Sequence, residues 1–236
     1  MRQILSILTV MLALAMAVPA NAQLSLRKEQ KPKKERKVNE RAEKDAIKDI
    51  KSRAVKEARK EARKIGKQDF VTFPGSLPMA KQLERVWVMQ YERNEDGTPK
   101  YIFADGNGVG KTQTATELQA MEAAKLQLAG QISNEINQIV ESKIANEQID
   151  RETGQSLTKF IAGGKNYIVQ HLGYVRPEFK VYRNVGKKDM EVFVKIGYNA
   201  EEAFKAAERA LEAKARAELE EEADLLIDEI NRLLDR

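Results

Sequence analysis

The chain has no cysteine, a single histidine and a single tryptophan in 236 residues. Without cysteine it forms no disulfide, no zinc ribbon and no thiol nucleophile, and it has no acylation site. One histidine, His171, is too few for a transition-metal cluster or for most catalytic triads. Charged residues make up 33% of the chain, which confines a core to part of it. Long apolar runs are also missing. The longest is Ile4 to Val18, short of the roughly 20 residues that cross a bilayer. Arg2 precedes this run and Ala20-Asn21-Ala22 follows it, just before Gln23. A positive start, a short apolar run and a small-x-small triplet form a secretory signal peptide, cut between Ala22 and Gln23. A retained anchor is the alternative. With no second such segment, the mature chain has no transmembrane span, and its net charge falls from +5 to +4 as Arg2 leaves.

What is present after residue 22 is charge, unevenly distributed. From Arg27 to Lys67 there are 18 basic and 8 acidic residues, a net of +10. Leu24 to Lys37 reads as a basic arm containing Pro32. From Val38 to Ile65 the pattern is helical: Ile47, Ile50, Ala54, Ala58, Ala62 and Ile65 step by threes and fours along one face. Gly66 is a stop signal. Lys56, Arg59, Lys60, Arg63 and Lys64 then form a positive band suited to an anionic surface: lipid headgroups, lipopolysaccharide or cell-wall polymer. The competing reading is a solvated face on which Glu57 and Glu61 pair with the bases. Nucleic acid is disfavoured, because no aromatics stand among these bases to stack on.

Residues 68–82 read as a linker, with Phe70 and Phe73 as pins. Leu83 to Tyr91 reads as a strand, and Asn94-Glu95-Asp96-Gly97 as a turn that brings Tyr101 to Ala104 back beside it. A glycine turn through Gly106, Gly108 and Gly110 leads to a long helix from Ala115 to Ile144, capped by Thr114 or Thr116. Its alanines, including Ala120, Ala123 and Ala124, form a small-residue face for close approach to a sheet. Leu157, Phe160 and Ile161 mark a short helix ending at Gly163-Gly164. Tyr167 to Leu172 fits either helix or strand. Tyr174 to Tyr182 and Met190 to Tyr198 form a hairpin, with Pro177 at a strand start. Asn199 caps a final amphipathic helix, residues 200–236, with 12 acidic and 6 basic residues, a net of −6. Its first half covers the sheet and the rest projects, free to pair with the basic helix or with a second copy.

Gly110-Lys111-Thr112 suggests a phosphate loop. That motif needs four residues between its glycines, so that successive N–H groups wrap the phosphates. From Gly106 only three intervene, and the required glycine is Asp105, whose carboxylate repels phosphate. A nucleotide-binding role for the Gly106–Thr112 loop is therefore a distant alternative. No carboxylate pair or serine with a base suggests catalysis. The chain is read as a non-enzyme, with no catalytic, cofactor-binding or metal residues assigned.

The order of a tryptophan-bearing strand, YIFADGNGVG, the alanine-spaced helix with LQLAGQI and VESKI, HLG at His171 to Gly173, and the strand MEVFVKIGY resembles the Lpp-twenty family of bacterial envelope lipoproteins. It is similar, too, to the N-terminal domain of a flagellar T-ring protein. The likeness spans about Val86 to Tyr198. It implies an α+β domain, an envelope location and no catalytic residues. Family lipoproteins carry a cysteine at the cleavage site, where this chain has Ala22-Gln23. The expectation is an α+β fold: about four antiparallel strands packed by the long central helix and the C-terminal helix, with a basic helical N-terminal extension. Its parts are a signal peptide (1–22), a basic arm and helix (23–67), a linker (68–82), the α+β domain (83–199) and the final helix (200–236). The function expected is a structural or interaction role in the periplasm, peripheral to the outer membrane. The partner is an envelope protein or a second copy; the alternative is an anionic ligand held by the basic helix.

Overall fold

A computed structural model describes residues 33–146, 148–218 and 223–234. The expected signal peptide, its expected Ala22-Gln23 cleavage site and most of the expected basic arm lie outside the described residues. The chain divides into two compact units, Met1–Asp49 and Ile50–Arg236. In the first, the described residues are the opening turns of helix α1, Lys33–Gly66, which runs on into the second. The chain is already helical at Lys33, five residues before the expected Val38.

The second unit is α+β, as expected. It contains β1 (Val71–Thr72), α2 (Met79–Tyr91), β2 (Tyr101–Gly110) and α3 (Gln113–Ala145), then α4 (Arg151–Gly163) and α5 (Lys165–His171). β3 (Pro177–Val185), β4 (Asp189–Asn199), α6 (Ala200–Glu218) and α7 (Ala223–Leu234) complete it. The four strands form one antiparallel sheet in the order β1-β3-β4-β2. The β3–β4 hairpin is the one expected, with Pro177 first in β3 and Gly186 at φ +64° in its turn.

Three expectations need correction. Leu83 to Tyr91 is helix, not strand. Its buried residues, Gln82, Leu83 and Val86, follow helical spacing, Pro78 precedes its first turn, and Lys81 pairs with Glu84 one turn on at 2.8 Å. These signals lie partly in the residues assigned to a linker. Tyr101 to Ala104 accordingly pairs with β4 rather than with 83–91. The turn at Asn94–Gly97 does form, with Gly97 at φ +85°.

The second correction concerns the glycines. Gly106, Gly108 and Gly110 lie in strand β2, paired with Val194, Val192 and Met190 of β4. None of the three has positive φ. Their role is steric. A Cβ on Gly106 would run into the Ala120 carbonyl and lie 2.5 Å from the Ala124 nitrogen; one on Gly108 would lie 2.5 Å from the Thr116 carbonyl oxygen. Small residues at every second position of the strand face Thr116, Ala120 and Ala124, all fully buried, at every fourth position of the helix. α3 therefore lies with its backbone almost on β2. Neither expected threonine caps this helix. Thr112 precedes its first residue without a side-chain cap, and the Thr116 hydroxyl donates back to the Thr112 carbonyl at 2.7 Å.

The third correction concerns the C-terminus. It is two helices, and α7 folds back on α6: Ala215, Ala223 and Ile227 share a cluster, and Ile230 is buried in the main core. Asn199 does cap α6, accepting from the Glu202 N–H at 3.1 Å. The main core lies between one sheet face and helices α3 to α7. Tyr167 to Leu172, left open by sequence, is mostly helix α5, and Ile168 is buried there. Two C-terminal carbonyls of α4 accept from side chains: Lys214 donates to Phe160 O at 2.9 Å and Ser133 donates at 3.3 Å to Ile161 O, which also accepts from the Gly164 N–H. The opposite sheet face carries a smaller core. There Phe179, Val181 and Phe193 meet Leu83 and Val86 of α2 and Ala58 of α1.

The α3–β2 contact gives a direct test. Gly106→Ala forces its methyl into helix backbone and should cost about 3 kcal/mol or more, as severe overpacking does. Gly130→Ala, a helical position where nothing stands within 4 Å of the added carbon, should be neutral or stabilising by up to about 1 kcal/mol. Urea denaturation of both variants checks the contrast.

Candidate anion-binding face

The last four turns of α1 have two opposed faces. Ala54 and Ala58 are fully buried, and Ala62 and Ile65 pack partly against the smaller core. At about 100° per residue, Lys56, Arg59, Lys60, Arg63 and Lys64 lie on the far side, and all five are exposed. They form two rows. Ser52, Lys56, Lys60 and Lys64 step by four along one, and Val55, Arg59, Arg63 and Lys67 along the other. Between the rows runs an open groove of about 650 Å³.

The sequence allows these bases to be neutralised by Glu57 and Glu61. The structure divides the two acids differently. Both lie on the flank between the buried and basic faces. Glu57 approaches Lys60 at 3.8 Å, a weak exposed pair. Glu61 accepts a hydrogen bond from the Trp87 indole at 2.8 Å, so it ties α1 to α2. Among the described residues, no carboxylate comes within ion-pair distance of Lys56, Arg59, Arg63 or Lys64. All five residues singled out by sequence thus stand together. Lys67 joins them, and its i+4 spacing from Arg63 was the signal that could have included it.

A second groove differs in its charge. This groove, of about 740 Å³, lies between α2, α3 and the segment before β3. Its cations are largely matched: Arg85 with Glu178 at 3.0 Å, Lys125 with Glu122 at 3.3 Å, Lys180 with Glu117 at 2.8 Å. On the sheet face beneath α1, Asp105 pairs with Lys195 at 2.6 Å. Beside them, Glu191 accepts from Asn107 at 2.6 Å and from Arg183 at 2.5 Å, and Arg183 also reaches the Gln68 carbonyl and the Phe70 ring. Burial alone would push the Glu191 carboxyl up. The Asn107 hydrogen bond and the Arg183 guanidinium outweigh it and hold the group below the usual glutamate range.

Sites of other kinds are weaker. His171 sits on α5 with Nδ1 2.9 Å from the Tyr167 carbonyl of its own helix. Among the described residues no group of three or more histidine, cysteine or acidic side chains could hold a metal ion, and no helix is long and apolar enough to cross a membrane. The Gly106–Thr112 segment, in strand form through Gly110, offers no phosphate-wrapping loop: the N–H groups of its even residues are spent on β4. No family model, curated protein or solved structure matches the chain.

Glu191 sets a pH dependence. Its folded pKa is depressed, so its contribution is present above the unfolded value, about 4.3. It is lost as pH falls through the lower folded value. Glu191→Gln should remove that part of the acid sensitivity. It should also cost about 1–3 kcal/mol at pH 7, because Arg183 loses its anion. Urea midpoints of both proteins between pH 7 and pH 3 check it.

Proposed function

We propose that this chain is an exported, non-enzymatic protein of the bacterial envelope, and that the basic face of α1 docks it on an anionic membrane surface. The observation that carries the docking is charge without compensation. Lys56, Arg59, Arg63 and Lys64 share one exposed face, while Arg85, Lys125 and Lys180 of the groove between α2 and α3 each have an acidic partner. Packing of the alanine stripe fixes which way these bases point, so little ordering is required on binding. The face carries no large apolar side chain; Val55 is its one apolar member. Adsorption to headgroup phosphates, without insertion, is what such a face does. Export is supported by Arg2, the Ile4–Val18 run and Ala20-Asn21-Ala22. The envelope location is supported by the resemblance to the Lpp-twenty family. With no cysteine to acylate, attachment is electrostatic and peripheral.

The test is sedimentation of residues 23–236 with vesicles of phosphatidylglycerol and phosphatidylcholine. Binding should rise with the anionic fraction and weaken as salt shortens the screening length. Each base near such a surface contributes about 1 kcal/mol. Replacing Lys56, Arg59, Arg63 and Lys64 together by glutamine should therefore weaken binding more than a hundredfold, with unchanged thermal stability. Equal binding to pure phosphatidylcholine, or undiminished binding by the variant, would remove the docking reading. Recovery of the uncut chain in the cytosol would remove the export reading.

A further inference from the structure

The strand order leaves β2 at an edge of the sheet. Its even residues bond to β4, so the N–H groups of its odd residues point outward. An edge of ten residues with open donors invites pairing with another chain. Here two donors are already taken, and by side chains. Gln127 Oε1 accepts from the Asp105 N–H at 2.8 Å, and Gln119 Oε1 from the Val109 N–H at 3.1 Å. The spacing is matched: eight helical residues span about 12 Å, and four strand residues about 13 Å. The opposite side of the sheet repeats the device. β1 covers only Val181 and Tyr182 of β3, and beyond it Gln82 takes over. Its Oε1 accepts from the Lys180 N–H at 2.9 Å and its Nε2 donates to the Leu77 carbonyl at 2.7 Å. In each place a carboxamide stands where the peptide group of a neighbouring strand would be.

We infer that Gln119 and Gln127 are guards that keep β2 from pairing, antiparallel and edge to edge, with β2 of a second copy. The edge is self-complementary. A two-fold axis at Asn107 sets Asp105 of one copy opposite Val109 of the other and joins two four-stranded sheets into one. The exposed Val109 and Leu126 would gain apolar cover in that arrangement. Such a dimer needs the space and the donors that the two carboxamides occupy. The guards exist because α3 lies so close to the strand: only a helix seated on Gly106 and Gly108 brings its next row of side chains round to the edge.

The experiment compares the native chain with a Gln119→Ala, Gln127→Ala double variant by sedimentation velocity and amide hydrogen exchange. The native chain should show no association through β2. The double variant should dimerise with concentration, at least tenfold more than the native chain at equal loading. Its Asp105 and Val109 amides should exchange fast when dilute and slowly when concentrated. Gln119→Glu with Gln127→Glu keeps an acceptor oxygen at both places and should remain monomeric. Adding Val109→Lys to the alanine variant charges the edge and should restore the monomer. A double variant that stays monomeric, one that dimerises equally with Val109→Lys, or one that unfolds would each overturn the inference.

Discussion

The approach of α3 to β2 is the contact on which the rest of the structure depends. Ordinary side chains hold a helix about 10 Å above a sheet. Here the strand offers hydrogens at Gly106 and Gly108 and the helix offers methyls at Ala120 and Ala124, so backbone meets backbone. Two consequences follow. Larger side chains further along α3, such as Leu128, Ile132 and Ile136, reach past the sheet to meet the helices α4 to α7. The main core therefore runs along most of α3, from Ala120 to Val140. The glutamine row of α3 also reaches the sheet edge, where it takes up backbone donors that would otherwise be open.

The opposite sheet face follows from what the first one excludes. With five helices on one side, the second face has only α2 and part of α1 to cover it, and it is correspondingly polar. Asp105, Asn107, Glu191 and Lys195 alternate with apolar neighbours along β2 and β4, each tied to a partner across the strands. Arg183 links that cluster to the chain leaving α1 through the Gln68 carbonyl and the Phe70 ring. Partly buried ionic groups of this kind add little net stability. Their contribution is positional: they tie the chain just after α1 to the sheet.

Much of this architecture was legible in the sequence, and the failures have one physical origin. The β3–β4 hairpin was readable because Val192, Val194 and Ile196 alternate cleanly with Glu191, Phe193 and Lys195. The long α3 and the Asn199 cap were readable from spacing and chemistry. β2 was misread because glycine signals a turn when considered alone. Its meaning here lies in a match between period two in one element and period four in the next, Gly106, Gly108 and Gly110 against Thr116, Ala120 and Ala124. α2 was misread because Val86 to Tyr91 is apolar at both parities, which hides helical spacing; Pro78 and the Lys81–Glu84 pair carried the correction. The break in the C-terminal helix was hidden by apolar spacing that continues through it. Of the candidate face, the bases were legible and their neutralisation was not, because nothing in the chain order tells that Glu61 is engaged by Trp87, 26 positions away.

That engagement also accounts for the survival of an uncompensated charge on a folded protein. Like charges along one helix face repel at i,i+4 spacing, and an isolated helix with the composition of α1 would be weakened by its own bases. Ala54 and Ala58 bury too little apolar area to offset this alone. The helix is held from its flank instead, by the Glu61–Trp87 bond and by Ile65 against the smaller core. An acid placed at the flank ties the helix to its neighbour and leaves the outward potential intact; the same acid turned by 100° would have neutralised the face. The direction of Glu61 thus serves both the attachment of α1 and the charge that it presents.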